Sequence, residues 1–242
     1  MTVLSQILQA KQQQKPLLAI LVDPDKTGIY PSVLPHLKHA DLVFVGGSTG
    51  ANTDLCVSQI RNFTKAPVIL FPGNIAQFSP NADALLFLTL LNAQSPDILI
   101  NPHIQVARQV IDSTIESIPM GYILIDGKRK SSVEIATNCL PIPQSDHERI
   151  LSTVLAGQLL GKQLIYLEAG SGAKQPISTE IICIVRQQLQ LPLIVGGGIC
   201  TPQAMIQAFR AGADIVVIGN HFEECPDEIE SFARIKQETY GK

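Results

Sequence analysis

Eight short runs of apolar residues recur along the chain, and turn residues follow each of them. Runs of this kind that alternate with longer amphipathic stretches are typical of parallel strands joined by crossover helices. Their nearly continuous apolar character is expected of strands that are buried on both faces. The predicted strands are residues 17–22, 42–45, 68–71, 84–90, 121–125, 164–167, 193–195 and 215–218.

The number of predicted strands and the length of the chain favour a closed barrel. The chain has 242 residues, and an eight-fold barrel of alternating strands and helices has roughly 250. We therefore predict a single α/β domain, residues 1–242, with the (β/α)8 or TIM-barrel fold, and keep a doubly wound open sheet as the alternative. Helices are predicted at residues 53–63, 103–114, 147–160, 178–189, 202–211 and 223–237.

Two connections between the predicted strands have unusual lengths. Only about ten residues, with Pro80 among them, separate Gly73 from Ala84, which is too few for two loops and an ordinary helix. An irregular segment is therefore predicted in place of the third helix. The polar insert of residues 127–146 after the fifth strand is long, and we expect it to be a lid or a loop that lines the substrate site.

The composition argues against several classes of function. The net charge is −3 and there is no run of Lys or Arg longer than three residues, so the chain lacks the clustered cations that bind nucleic acid. The five cysteines include no Cys-x-x-Cys pair, which predicts reduced thiols. Residues 1–15 do not resemble a secretory signal, and no segment approaches the roughly 18 apolar residues of a membrane span. We expect a soluble, cytoplasmic protein.

Glycine clusters follow the last three predicted strands. In a barrel of this type the active site lies at the carboxyl ends of the strands. Glycine lets the backbone approach a ligand closely and direct N–H groups at an anion. Either of the last two clusters alone is explained by a tight turn, but together they predict a phosphate site. The residues concerned are Gly170, Ser171, Gly172, Gly196, Gly197, Gly198, Gly219 and Asn220.

Carboxylates stand at two of the predicted strand ends. Asp23 and Asp25 flank Pro24 after the first strand. Capping of a turn would explain Asp25, whereas Asp23 is predicted to bind a hard cation such as Mg²⁺, to which Ser48 would add a hydroxyl oxygen. Glu168 ends the sixth strand; it is either a solvated carboxylate at the rim or a base that takes a proton from a substrate hydroxyl.

Six segments carry a resemblance to a known family. They are residues 21–26, 45–50, 70–74, 119–124, 166–173 and 194–199. In this order, between about residue 15 and about residue 235, they resemble the geranylgeranylglyceryl phosphate synthases. The string Tyr-Leu-Glu-Ala-Gly-Ser-Gly-Ala at 166–173 is the most specific of them. The resemblance implies a TIM barrel without an ordinary third helix. It also implies Mg²⁺-dependent transfer of a prenyl group, typically geranylgeranyl, from an allylic pyrophosphate to the C3 hydroxyl of sn-glycerol 1-phosphate.

The resemblance also implies roles for individual residues. By position, Asp23 and Ser48 would bind Mg²⁺, and Glu168 would accept the hydroxyl proton. Relatives form dimers or larger rings, so a homo-oligomer is expected, and a lipid product implies transient contact with a membrane surface. Ile135 departs from the pattern, because many relatives carry an aromatic residue there. The residues that would hold glycerol phosphate are Tyr166, Leu167, Glu168, Ala169, Gly170, Ser171, Gly172, Gly197, Gly198, Gly219 and Asn220.

Three other functions fit parts of the sequence. Residues 46–50 match the Gly-x-Ser-x-Gly nucleophile elbow of hydrolases, but that turn needs a helix to begin at Ser48, and the predicted helix begins at Thr53. Another phosphate-binding barrel, such as a sugar-phosphate isomerase or a flavin mononucleotide oxidoreductase, would share the glycine turns. A catalytically inactive barrel is the third, and the presence of Asp23, Ser48 and Glu168 argues against it.

Overall fold

The computed structural model describes residues 1–47, 52–74 and 77–241. Eight parallel strands form a closed barrel in chain order, and the last strand pairs with the first. The closed barrel is confirmed, and the open sheet is wrong. The strands are β1 Leu17–Val22, β2 Leu42–Val45, β3 Val68–Leu70, β4 Ala84–Leu90, β5 Glu116–Leu124, β6 Leu164–Glu168, β7 Leu193–Gly196 and β8 Ile215–Ile218.

Helices surround the barrel and cover its amino-terminal end. None of the helices among residues 1–47, 52–74 and 77–241 is both long and apolar enough to cross a membrane. In addition to a 3₁₀ helix at Leu34–His39, the helices are α1 Val3–Gln12, α2 Tyr30–Val33, α3 Thr53–Ile60, α4 Pro96–Leu99, α5 Asn101–Asp112, α6 Ser132–Thr137, α7 His147–Leu159, α8 Thr179–Gln188, α9 Pro202–Ala211, α10 Asn220–Glu224 and α11 Glu228–Tyr240.

The connection between β3 and β4 contains no helix in its described residues, 71–74 and 77–83, as predicted. Polar contacts help to hold it in place, together with Phe78 and Ala82, which pack against the outer core. The backbone N–H of Gly73 donates to Gln77 Oε1 at 2.5 Å. Ser79, which is fully buried, donates its hydroxyl proton to Asp54 Oδ1 on α3 at 2.5 Å.

The structure differs from the sequence prediction most clearly at three places. The single helix predicted at 223–237 is divided into α10 and α11, because Pro226 restricts Cys225 to non-helical angles. Strand β5 begins at Glu116, five residues before the predicted 121–125, since its polar start and Pro119 hide the strand pattern. Helix α1 was not predicted, although its Val3 and Ile7 are buried.

Side chains of the strands alternate between the helix layer and the barrel interior. On β6, Ile165 and Leu167 pack in the outer layer, whereas Leu164 and Tyr166 belong to the inner cluster. The same alternation directs Glu168 inward. At the opposite end, Val3 and Ile7 of α1 join the inner cluster. Helix α1 therefore closes the amino-terminal end of the barrel, and the mouth at the carboxyl ends of the strands remains for a site.

Candidate active site

Glu168 is a buried carboxylate at the mouth of the barrel. Its residue is only 8% exposed. The N–H of Gly170 donates to Glu168 Oε1 at 2.6 Å, and the Tyr166 hydroxyl also hydrogen-bonds to this carboxylate. Burial raises the pKa of Glu168 above the ordinary range, and the hydrogen bonds from Tyr166 and Gly170 partly oppose that shift. A solvated rim position, one of the two alternatives for Glu168, is therefore wrong.

The turn that follows β7, residues 196–198, packs directly against this carboxylate. A methyl group added at Gly196 would lie 2.2 Å from the Tyr166 hydroxyl oxygen. One added at Gly197 would lie 2.5 Å from Glu168 Oε1, and Gly197 has a φ of +86° that favours glycine. These glycines therefore do more than make a turn, because they leave the space that the Tyr166 and Glu168 side chains occupy.

The turn that follows β6, residues 169–173, meets the start of α10. Ser171 Oγ donates to Asn220 Oδ1 at 2.9 Å. Asn220 is the first residue of α10 and follows Gly219 at the end of β8. The glycine turns after β6, β7 and β8 are thus neighbours, as their order in the barrel predicts.

Two of the residues expected to hold glycerol phosphate have side chains that are buried in the helix layer. Leu167 is fully buried and packs in the helix layer. Ala169 is 1% exposed and packs in the same layer. Any contact of these two residues with a ligand would come through their backbone atoms.

The insert of residues 127–146 packs on the turn after β6. The carbonyl oxygen of Gly127 accepts hydrogen bonds from the N–H groups of Lys174 at 2.9 Å and Gln175 at 3.1 Å. Arg129 Nη1 donates to the carbonyl oxygen of Gly172 at 3.2 Å. The insert therefore adds a cationic side chain to the site. Arg129 was not predicted, and the one signal for it is its place in the basic string Lys128-Arg129-Lys130.

Asp23 and Asp25 lie together at the end of β1. The N–H of Asp25 donates to Asp23 Oδ1 at 3.0 Å, so Asp23 rather than Asp25 caps this turn. A methyl group added at Gly47 would lie 2.1 Å from Asp23 Oδ1 and 2.7 Å from Asp25 Oδ2. Burial raises the pKa of Asp23, which the hydrogen bond from Asp25 and the charge of Lys26 oppose. Ser48, the other predicted metal ligand, lies outside the described residues.

An ion pair that sequence reasoning missed joins the β1 loop to α10. Lys26 Nζ lies 2.5 Å from Glu223 Oε2, and the Glu223 side chain is 8% exposed. Burial raises the pKa of Glu223, which the hydrogen bond and charge of Lys26 oppose. The pair is 197 residues apart in sequence, which is why no local pattern indicated it.

Aromatic rings fill the barrel interior beneath the mouth. The Tyr166 ring stacks on Phe71 with 5.5 Å between centroids and meets Tyr122 at 5.3 Å. Partly exposed apolar side chains pack against the same inner cluster near the mouth; they are Leu21, Phe71, Leu88, Ala93, Ile98 and Val133. The site thus combines a polar glycine-lined side with an apolar side.

A closed parallel barrel in which glycine turns surround a buried glutamate at the carboxyl ends of the last strands defines a β/α-barrel enzyme. The family model that matches the chain defines a narrower class than the β/α-barrel enzymes. It is that of the PcrB family and matches residues 9–236. The chain belongs to the PcrB family.

Proteins named geranylgeranylglyceryl phosphate synthase are similar to nearly the whole chain. The one from Zunongwangia profunda is 44% identical over 226 residues, which cover 91% of this chain and 97% of that protein. The one from Flavobacterium johnsoniae is 43% identical over 230 residues, which cover 92% and 94%. The crystal structure of (S)-3-O-geranylgeranylglyceryl phosphate synthase from Thermoplasma acidophilum, in complex with substrate sn-glycerol-1-phosphate, matches with a TM-score of 0.90 at 32% identity. The match covers 98% of this chain and 99% of that one.

Proposed function

We propose that this protein is a prenyltransferase that joins an allylic prenyl pyrophosphate to the C3 hydroxyl of sn-glycerol 1-phosphate. The products are an ether phospholipid precursor and pyrophosphate, and geranylgeranyl pyrophosphate is the proposed donor. The observation that carries the proposal is the buried Glu168, held by Tyr166 and Gly170 where the glycine turns meet. The names of the relatives at 44% and 43% identity support it, and they disfavour an isomerase or a flavin oxidoreductase.

The acceptor would lie along the turns after β6, β7 and β8. Because the N–H of Gly170 already donates to Glu168, we assign the phosphate to the other groups of these turns. They are the amides of Ser171, Gly172, Gly197 and Gly198, together with Gly219 and the side chain of Asn220. The complex of the Thermoplasma acidophilum enzyme with sn-glycerol-1-phosphate supports this class of acceptor.

Glu168 is the proposed general base. The C3 oxygen of the acceptor forms a bond to C1 of the prenyl group while the bond from C1 to the pyrophosphate oxygen breaks. The electron pair of the broken bond leaves with pyrophosphate, and the hydroxyl proton passes to Glu168. A carboxylate whose pKa is raised by burial holds a proton more firmly than an exposed one, which suits it to this step.

Mg²⁺ is the proposed cofactor, and Asp23 is its proposed ligand together with Ser48. The Asp23 and Asp25 carboxylate oxygens converge over Gly47, which is a suitable donor set for a hard cation. In the described parts of the chain no three His, Cys, Asp or Glu side chains form a metal-binding group. Mg²⁺ commonly uses one or two carboxylates and completes its shell with water and phosphate oxygens. When bound, it would stabilise the charge that develops on the pyrophosphate leaving group.

The prenyl chain needs an apolar surface beside the mouth. Leu21, Phe71 and Leu88 are partly exposed and pack against the inner cluster, as do Ile98 of α4 and Val133 of α6. We assign the donor chain to this surface. Ile135 is 67% exposed, so it is placed at the periphery of this region rather than in its core.

A homo-oligomer with transient membrane contact in the cytoplasm is also proposed. Exposed apolar side chains on the outer surface support an association surface; they include Ile104 and Ile111 of α5 and Leu159 of α7, which are 65%, 79% and 86% exposed. Light scattering tests the oligomer, and a monomer at micromolar concentration would contradict it. Co-sedimentation with vesicles during turnover tests the membrane contact, and the absence of bound protein would contradict that.

The reaction is tested by product formation from sn-glycerol 1-phosphate with prenyl pyrophosphates of increasing length, with and without Mg²⁺. The wild type should form product with the geranylgeranyl donor and should discriminate against sn-glycerol 3-phosphate. Asp23→Asn and Glu168→Gln should each lose about 100-fold or more in kcat. Asp112→Asn, which removes an exposed carboxylate paired with Arg108 on α5, is the control and should retain full activity. A wild type that forms no product with any donor would contradict the proposal.

A further inference from the structure

We infer that Arg129 of the insert binds the phosphate of the acceptor. The insert would thus add a positively charged side chain to a site that is otherwise built mainly from glycine turns. This inference rests on the proposed function, because it assigns one more residue to the same acceptor site. It concerns a side chain whose position was not evident from the sequence.

The backbone before Arg129 is fixed to the turn after β6. The carbonyl oxygen of Gly127 accepts two hydrogen bonds, from the N–H groups of Lys174 and Gln175. A methyl group added at Gly127 would lie 2.2 Å from the carbonyl oxygen of Ala169. The first residues of the insert and the turn after β6 therefore form one packed unit.

The backbone after Arg129 is fixed to the same turn. Ser131 is 2% exposed, and its Oγ accepts a hydrogen bond from the N–H of Glu134 at the start of α6. A methyl group added at Gly170 would lie 2.7 Å from Ser131 Cβ. Arg129 is thus held between two anchors, one on each side, and both of them contact the turn that carries Gly170 and Gly172.

The Arg129 guanidinium and the Asn220 amide converge at Gly172. A methyl group added at Gly172 would lie 2.8 Å from Arg129 Nη1 and 3.7 Å from Asn220 Nδ2. Asn220 Oδ1 accepts the hydrogen bond from Ser171, and Nδ2 is the donor that faces Gly172. A guanidinium has five N–H donors, so the bond to the Gly172 carbonyl leaves donors for a phosphate oxygen.

Electrostatics gives a reason for a cation at this position. The proposed base, Glu168, is negatively charged when it is active, and it hydrogen-bonds to the same turn that would hold the phosphate. A phosphate bound there is repelled by that carboxylate across a short distance in a partly buried site. A guanidinium on the insert side offsets this repulsion. Backbone amides alone cannot offset it to the same extent, because they carry no net charge. The adjacent Lys128 is instead paired with Asp126 at 2.7 Å.

The test measures binding of inorganic phosphate and of sn-glycerol 1-phosphate by calorimetry to the wild type, Arg129→Gln, Arg129→Lys and Lys130→Gln. Arg129→Gln should weaken the binding of both ligands roughly 10- to 100-fold, since a hydrogen bond to a charged group is lost. Arg129→Lys should recover part of the affinity. Lys130→Gln removes the neighbouring exposed cation and should change the dissociation constant by less than about threefold.

A purely structural role for Arg129 predicts a different pattern. Glutamine ends two bonds short of the Arg129 Nη1 that donates to the Gly172 carbonyl, so a clamp would be lost in Arg129→Gln and the binding of both substrates would weaken together. Unchanged phosphate affinity in Arg129→Gln overturns the inference. In turnover, Arg129→Gln should raise the KM for the acceptor and leave the KM for the prenyl donor within about twofold. If the wild type forms product and Arg129→Gln has the same acceptor KM, the inference fails while the proposed function stands. A wild type that binds phosphate through Arg129 but forms no prenylated product would contradict the proposed function alone.

Discussion

Gly197→Ala should damage the active site far more than it destabilises the fold. The new methyl group would lie 2.5 Å from Glu168 Oε1, 2.7 Å from the backbone nitrogen of Gly170 and 2.9 Å from Ala169 Cβ. The Glu168 side chain cannot move away freely, because it is buried and accepts hydrogen bonds from Tyr166 and Gly170. Either the carboxylate or the turn after β6 must therefore move.

Gly161→Ala is the matched control, because it separates backbone strain from the clash. Gly161 has a φ of +79°, similar to the +86° of Gly197, but an added methyl group would meet nothing within 4 Å. Left-handed backbone costs a non-glycine residue about 1–2 kcal/mol, and the stiffer unfolded chain returns about 0.4–1 kcal/mol. The net cost is roughly 1 kcal/mol, or about 2–4 °C in Tm for a chain of this length.

Gly197→Ala adds the cost of overpacking, about 1–3 kcal/mol, to that of the backbone. Its Tm should fall by at least twice as much as that of Gly161→Ala, as calorimetry would measure. A base displaced by about 1 Å loses about 100-fold in rate, so its kcat should fall by that factor, while Gly161→Ala keeps wild-type kcat. Equal kcat values in the two variants would refute the argument that Gly197 keeps Glu168 in position.

Three further predictions concern buried carboxylates. As the pH is lowered, the wild-type kcat/KM should begin to fall above pH 4.5, the ordinary pKa of a glutamate. The reason is that burial raises the pKa of Glu168 and only its carboxylate form can accept the proton. A fall in kcat/KM that occurs only at or below pH 4.5 would refute this prediction. Protonation of Glu168 stabilises the folded protein at low pH, and this stabilisation is lost as the pH rises through the raised pKa of Glu168. Glutamine stays neutral at every pH, so at neutral pH Glu168→Gln should unfold at a higher urea concentration than the wild type. The difference in urea midpoint should shrink in acid. Lys26→Met should be destabilised by about 1–2 kcal/mol because it leaves Glu223 buried without its partner, and the double variant with Glu223→Leu should recover most of that loss in urea unfolding; additive losses would contradict the pairing.

Much of the barrel was predictable because its signals are local. Each strand is a short apolar run, and parallel strands buried on both faces need no alternating pattern to be recognised. The absence of a helix from residues 71–74 and 77–83 followed from the length of this connection, since the residues between Gly73 and Ala84 are too few for two loops and an ordinary helix. The division of α10 from α11 also has a local cause that the sequence prediction missed, because Pro226 directly follows Cys225 and restricts it to non-helical angles.

The parts of the site that the sequence did not predict depend on contacts between distant segments. Arg129 meets Gly172 across 43 residues and Lys26 meets Glu223 across 197, and no spacing rule connects such pairs. The amphipathic character of α1 is weak, and its buried Val3 and Ile7 gain their role only from the barrel end that they cover. The assignment of Asp23 and Ser48 to Mg²⁺ stays a prediction.

The glycines after β7 make room for two buried side chains of β6. Tyr166 and Glu168 are two residues apart on β6, so both side chains enter the barrel, and Gly196 and Gly197 leave the space that they fill. That arrangement removes water from the carboxylate, which raises its pKa, and the N–H of Gly170 limits the rise. A side chain at position 196 or 197 would therefore disturb the protonation of Glu168 directly and acceptor affinity indirectly. A phosphate site made of tight turns alone would not need this closeness to a carboxylate, so the glycine pattern by itself does not account for the contacts of Gly196 and Gly197 with Tyr166 and Glu168.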